Sequence, residues 1–148
     1  MQTDVEELFT LRLRRDGDRA VKIRDGPHGT RGIAPAAEGG TFSGPRLSGE
    51  LMTGTSGDWA TLRPDGSFLI DARLTLVTSD GAPILMTYRG VGAFDNNGDA
   101  WVHTSPLFET GDGRYDWLNL VQAIAYGRLE DDTVIYDVYT LTSTTPAN

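Results

Sequence analysis

The chain has 148 residues, 21 acidic and 13 basic side chains, a net charge of −8 and no cysteine. This length suits one domain with its own core, and the charge disfavours nucleic acids and anionic membranes, which bind clustered cations. Without cysteine there are no disulfides, thiolate nucleophiles or zinc–thiolate sites.

No basic and apolar leader and no apolar run of about 20 residues is visible, so we expect a cytoplasmic protein without a membrane partner. We expect one domain over residues 1–148, with frayed tails at residues 1–6 and 143–148.

Clusters of Gly with Asp or Asn divide the chain into short segments rich in β-forming residues. Gly tolerates positive φ, and Asp and Asn bond their local backbone, so such clusters reverse the chain. The segments between them predict these strands: Leu8–Arg15, Arg19–Arg24, Gly32–Ala37, Leu47–Met52, Asp58–Leu62, Ser67–Thr78, Pro83–Gly92, Ala100–Glu109, Trp117–Arg128 and Thr133–Thr142. A helix is the alternative for Trp117–Arg128, and 25–44 is expected to be a long connection containing at most one strand.

The clearest strand is Ser67–Thr78, in which side chains of alternating parity separate onto two faces. One face carries Phe68, Ile70, Ala72, Leu74 and Leu76, and the other carries Leu69, Asp71, Arg73, Thr75 and Val77. Many sequential antiparallel strands leave edges that closure into a barrel removes. The sequence therefore predicts an all-β, mostly antiparallel closed barrel of about eight or more strands, with a sandwich as the alternative.

Familiar catalytic signatures are absent: there is no glycine-rich dinucleotide loop, no P-loop and no HExxH pair. The two histidines, His28 and His103, are isolated from each other in the sequence. We therefore expect neither a metal site nor a cofactor.

Acidic and basic residues inside the predicted strands are the first candidates for chemistry. Asp71 and Arg73 share a face; they form either a solvent-exposed ion pair or a charged pair lining the barrel interior, where burial shifts the pKa of the acid. Asp58 either caps a turn or enters the site, and Glu50 is a further polar candidate.

Aromatic and polar side chains alternate in three later segments, so in strands they would share faces. The groups are Tyr115, Trp117 and Asn119; Trp101 and His103; and Met86 and Tyr88. Each group is either core or the wall of a pocket for a small organic ligand.

Several longer motifs occur in a fixed order: GGTFSGPRLSGE at 39–50, GDW at 57–59, RPDGSFLIDARLTLVTSDGAPI at 63–84, FETGDGRYDWLN at 108–119 and VIYDVY at 134–139. Together they resemble the small β-barrel family filed as domain of unknown function 3237. The resemblance implies a single-domain barrel and no settled reaction. The family's marked positions fall on Gly44, Pro45, Gly49, Asp58, Trp59, Asp71, Arg73, Asp80, Gly81, Tyr115, Trp117 and Asn119.

The leading hypothesis is a cofactor-free enzyme performing isomerisation, cyclisation, hydration or cleavage of a small carbonyl-containing metabolite. In it, Asp58 or Asp71 is the acid or base, and Arg73 or Arg46 holds a developing anion. Tyr115 and Asn119 donate hydrogen bonds. The walls and further ligand contacts are Trp59, Trp101, Trp117, Tyr88, His103 and Glu50.

Two alternatives stay open: a ligand-binding barrel without turnover, and a solid barrel that acts in assembly through its outer face. The expected partner is a small organic molecule. Small β-barrels also pair as homodimers, but nothing in the sequence fixes the stoichiometry.

Overall fold

The computed structural model describes residues 3–142. They form eleven strands and two short 3-10 helices, Gly17–Arg19 and Asp116–Leu120. The strands are β1 (Val5–Arg14), β2 (Val21–Gly26), β3 (Gly29–Pro35), β4 (Thr41–Ser43), β5 (Ser48–Leu62), β6 (Phe68–Thr78), β7 (Pro83–Phe94), β8 (Ala100–Thr104), β9 (Leu107–Glu109), β10 (Ala123–Glu130) and β11 (Thr133–Leu141).

Eight of these strands close into an antiparallel barrel, which confirms the predicted fold. Around the barrel the order is β5, β4, β1, β11, β10, β8, β7 and β6, and β6 pairs again with β5. The β2–β3 hairpin pairs with the second half of β5, and β9 adds to β7. Closure leaves the eight barrel strands with partners on both sides.

The barrel has two different ends. At the closed end β5 begins and β6 finishes; at the open end β1 finishes and β6 begins. Aromatic and aliphatic side chains fill the closed half, where Phe9 packs against Phe42 and Phe108 with ring centroids 5.4 and 5.9 Å away. The fully buried residues around them include Leu74, Leu76, Ile84 and Met86. Half of the barrel is therefore solid core.

The alternation predicted for β6 is confirmed: Ile70, Ala72, Leu74 and Leu76 are buried, whereas Arg73 is exposed. The two predicted strands Leu47–Met52 and Asp58–Leu62 are one long strand, β5, interrupted by an irregularity between Met52 and Gly57. Segment 25–44 contains all of β3 and β4, more than the one strand expected.

The predicted strand Trp117–Arg128 is wrong in its first part. Residues Asp116–Leu120 form a 3-10 helix anchored by the fully buried Leu118, and the strand begins only at Ala123. The segment Ala100–Glu109 is likewise divided, because the fully buried Pro106, which has no N–H to donate, lies between β8 and β9.

The chain termini were expected to be frayed. Strand β1 begins at Val5, and residues 5 and 6 pair with β11, so that part of the expectation is wrong. Residues 1–2 and 143–148 lie outside the described residues. Within residues 3–142 no helix has the length and apolar character needed to cross a membrane.

Candidate active site

A cavity lies inside the open half of the barrel. Its volume is about 80 Å³. Its walls are mostly apolar and include Leu13, Ala34, Ala36, Phe68, Ile70, Ala100, Val102, Leu129 and Val134. Asp58, Tyr88, Tyr136 and Arg15 bring polar groups to it.

An irregularity in β5 turns Asp58 toward this cavity. Leu51 pairs with Leu76, and Asp58 pairs with Ala72, so β5 uses seven residues where β6 uses four. Strict alternation from the inward Leu51 would point residue 58 outward, and the three extra residues reverse that parity. Asp58 therefore shares the inner face with Ala72.

Ser56 stabilises this irregular segment. Its buried hydroxyl accepts the backbone N–H of Thr75 at 3.0 Å and donates to the carbonyl of Met52. The Ser56 side chain thus satisfies backbone groups of Thr75 and Met52 where the extra residues interrupt the pairing of β5 with β6.

The Asp58 carboxylate is held at the wall by one backbone hydrogen bond, from the N–H of Asp71 to Oδ1 at 3.1 Å. Burial raises the pKa of Asp58 to about 6, against the lowering effect of that hydrogen bond. The charge of Asp71 raises this pKa further, and Arg15 lowers it. A carboxyl with a pKa close to neutral can both accept and return a proton.

Two phenols face the same space. The rings of Tyr88 and Tyr136 lie 5.4 Å apart at 62°. Burial raises the pKa of both, and the Asp58 charge adds to the effect. Both phenols therefore stay protonated near neutral pH and can donate hydrogen bonds.

Glycines on the inner wall make room for these rings. A Cβ at Gly127 would lie 2.6 Å from the Tyr136 ring, and one at Gly92 would lie 2.3 Å from the Phe68 ring. Larger residues at these positions would displace the aromatic walls of the cavity.

Of the twelve candidate residues from the sequence, the structure places Asp58 and Tyr88 at the cavity. Asp71 and Arg73 lie on the outer face of β6, because the opposite parity of that strand packs inward. The hypothesis that they form a charged pair inside the barrel is therefore wrong. Among the described residues, no ion pair joins them.

Four other candidates lie at the closed end. Arg46 stacks over the Trp117 ring, with its guanidinium carbon 3.6 Å from the ring centroid. The Tyr115 hydroxyl donates to Asp80 at 2.9 Å. Asn119 accepts the N–H of Thr110 and donates to its carbonyl. The expectation that Tyr115, Trp117 and Asn119 share a strand face is wrong, since they lie at or within a 3-10 helix.

The remaining candidates lie on the outer surface. Trp59 is 45% exposed on the outer face of β5, and Glu50 is exposed on the same strand. His103 stacks between Trp101 and Tyr126, with ring centroids 4.9 and 5.5 Å away. None of these four side chains from the sequence hypothesis lines the cavity.

Sequence reasoning missed Tyr136 and Arg15. The signal for Tyr136 was its alternation with Val134 and Val138, and the signal for Arg15 was its place after Leu11 and Leu13 on one face.

No group of three or more His, Asp or Glu side chains in residues 3–142 could hold a metal ion.

A family model described as protein of unknown function (DUF3237) matches residues 4–141. The chain belongs to this family. A solved β-barrel-like protein from Acinetobacter baumannii superposes with a TM-score of 0.87 at 26% identity, covering 96% of this chain and 98% of that one.

Two of the matches, one by sequence and one by structure, come from Penicillium herquei. One, named hydroalkoxylation enzyme phnH, is 35% identical over 85 residues, which are 57% of this chain and 50% of that protein. This alignment thus spans half the length of that relative. A solved structure described as an enzyme has a TM-score of 0.70 at 25% identity and covers 95% of this chain and 96% of that chain.

Proposed function

We propose that this protein is a cofactor-independent enzyme in which Asp58 transfers a proton on a small, largely apolar substrate. The observation that carries the proposal is the Asp58 carboxyl, with a pKa raised to about 6 by burial, at an apolar cavity faced by two phenols. Electrostatic interactions in such an apolar site are stronger than in water, because the local dielectric constant is low.

The reaction class we infer is the addition of a substrate hydroxyl across a C=C bond conjugated to a carbonyl. The name of the partial relative, hydroalkoxylation enzyme, supports this class. The Asp58 carboxylate accepts the hydroxyl proton as the oxygen bonds to the β-carbon. The electron pair of the C=C bond moves onto the carbonyl as an enolate, which then takes one proton at the α-carbon. Atoms and electrons balance without an oxidant or a cofactor.

The phenols have a specific part in this scheme. Both phenols remain neutral, and because the Tyr88 hydroxyl donates to Tyr136, the Tyr136 hydroxyl is the one that can stabilise the enolate oxygen as its charge develops. Asp58 returns its proton to carbon and is ready for another cycle.

Purified protein incubated with 5-hydroxypent-1-en-3-one or 2-hydroxyphenyl vinyl ketone tests the proposal. We expect ring closure, with one solvent deuteron at the α-carbon in D2O. Asp58→Asn should lower the rate about 10²- to 10⁴-fold. Asp116→Asn is the matched control, because it makes the same chemical change at an exposed carboxylate of the second 3-10 helix, at the closed end of the barrel. Equal rates for D58N and wild type would contradict the assignment.

The expected pH profile follows from the direction of the Asp58 shift. A carboxylate acting as base loses activity as it is protonated, so kcat/KM should fall as pH drops below about 6. Turnover that is flat from pH 7.5 to pH 5 would count against Asp58 as the base.

A ligand-binding barrel without turnover is the second candidate, favoured by the apolar lining of the cavity. Such a protein would gain thermal stability with the same compounds and leave them unchanged. The cavity in the open half leaves a wholly solid barrel without support. A homodimer and a cytoplasmic location stay predictions.

A further inference from the structure

Arg15 is a cation at the rim of the cavity, and within residues 3–142 it has no ion-pair partner. Arg15 forms a bridge with Ala36 of the neighbouring segment, so the two side chains leave the backbone on the same, inner side. Ala36 is buried, and Arg15 lines the cavity while remaining exposed. The guanidinium therefore lies where the cavity meets solvent.

Two acids beside Arg15, one across the sheet and one next in the chain, are already engaged, and Asp58, whose pKa Arg15 lowers, forms no ion pair with it within residues 3–142. Asp132, whose carbonyl accepts the Arg15 backbone N–H, is paired through its carboxylate with Arg14 at 3.1 Å. Asp16 caps the first 3-10 helix and lies 3.9 Å from Arg19. Within residues 3–142 no ion pair or side-chain hydrogen bond engages the Arg15 guanidinium.

Other arginines cannot serve the cavity in this way. Arg14 also borders it, but its guanidinium is held by Asp132 and the carbonyl of Glu38. Arg73, unpaired like Arg15, lies on the outer face, and Arg46 is stacked on Trp117 at the closed end.

Arg15 and Asp58 arise from strands on the two sides of β3, because Ala36 faces Arg15 and Ala34 pairs with Asp58. Two strand spacings and an offset of two residues along the strand separate their backbones by about 12 Å. A cation at the rim and an acid–base group deeper in the wall therefore mark two ends of one binding space.

We propose that Arg15 binds a carboxylate, so that the substrate is a small organic acid. Its apolar body would lie among Ile70, Val102 and the tyrosines. A planar guanidinium suits a carboxylate because it can donate two parallel hydrogen bonds. A neutral molecule of the same shape is not repelled by the guanidinium but lacks the pairing with it. The preference for an acid therefore comes from the carboxylate. This inference rests on the proposed function for the site, but it concerns binding alone.

Benzoate and benzamide form a suitable pair of probes, since they share shape and differ in charge. Titration calorimetry at pH 7.5 and low salt should show wild type binding benzoate about tenfold more tightly than benzamide. The preference should disappear in Arg15→Gln and persist in part in Arg15→Lys, and high salt should weaken it. Arg73→Gln, an unpaired arginine outside the cavity, is the control and should keep the wild-type preference.

The outcomes separate this inference from the proposed function. Equal binding of both probes to wild type, or a preference that survives in R15Q, would overturn the role of Arg15 and leave Asp58 untouched. Loss of the preference in R73Q would place the anion on the outer face and would also overturn it. If neither probe binds wild type, the cavity does not accept small organic molecules, and both proposals fail.

Discussion

At the scale of single residues, the buried placement of the Asp58 carboxyl costs stability at neutral pH. A carboxylate transferred to an apolar wall loses hydration, and one backbone hydrogen bond from Asp71 offsets only part of that loss. The same burial that raises its pKa therefore stores an unfavourable free energy in the folded protein at neutral pH.

We predict that Asp58→Asn stabilises the protein at pH 7. Because the folded-state pKa of Asp58 lies above the unfolded value of 3.8, the native state binds this proton more tightly. Its contribution to stability is present below pH 3.8 and is lost as pH rises through about 6. Asparagine avoids that loss, so D58N should gain about 1–2 kcal/mol at pH 7, after discounting for the half-buried position.

Urea denaturation at pH 7 and pH 4 measures this effect. The gain should shrink toward zero at pH 4, and the control Asp116→Asn, at an exposed carboxylate at the closed end, should show no such dependence on pH. A D58N variant less stable than wild type at pH 7 would show that the carboxylate is not destabilised by burial.

At the scale of elements, the extra residues in β5 decide which side chain enters the cavity. The sequence shows Leu51 and Asp58 seven residues apart, and strict alternation would place them on opposite faces. The prediction of two separate strands, Leu47–Met52 and Asp58–Leu62, located the interruption in β5. It could not show how many residues of the interruption lie outside the regular pairing with β6. The Ser56 hydroxyl bonds to β6 and to an earlier residue of β5, and these hydrogen bonds decide which face of the sheet Asp58 occupies. Neither hydrogen bond can be predicted from the alternation of residues in the sequence.

Ser56→Ala tests the importance of these hydrogen bonds. The substitution leaves the N–H of Thr75 and the carbonyl of Met52 without their buried partner, which should cost about 1–3 kcal/mol of unfolding free energy. Ser43→Ala, at an exposed site on β4, should cost less than about 0.5 kcal/mol. Equal losses in the two variants, measured by urea denaturation, would show that the hydroxyl does not hold this segment.

Prediction from sequence succeeded where one periodicity governed a whole element. The alternation in β6 identified its inner face, and the turn clusters identified most strand ends. It failed for Tyr115, Trp117 and Asn119, whose alternation imitates a strand although Leu118 anchors a 3-10 helix. It also overlooked Tyr136, because only the tertiary fold brings that ring next to Tyr88.

At the scale of the whole molecule, the packed core and the cavity with Asp58 lie at opposite ends of the barrel. The closed end concentrates side-chain to backbone hydrogen bonds and ring packing, including the contacts of Tyr115, Asn119 and Arg46. Thr78, which pairs Gly49 there, is six residues along β6 from Ala72, the partner of Asp58. Six residues of strand span about 20 Å, so the two ends do not share side-chain contacts.

Asn119→Ala should therefore separate stability from activity. It removes both hydrogen bonds to the Thr110 backbone and should lower the melting temperature, with a cost of about 1–2 kcal/mol. The kcat/KM of the folded variant should stay within about twofold of wild type at 25 °C. A large fall in kcat/KM with the melting temperature unchanged would move the reaction to the closed end.

The protonation of Asp58 is the central claim of this account, and carboxyl ¹³C NMR measures it directly. Titration of the wild-type protein, with the resonance assigned by its loss in D58N, should give a pKa of about 6 for this carboxyl. A pKa near the ordinary value of 3.8 would show a solvated carboxylate and would contradict the proposed acid–base site.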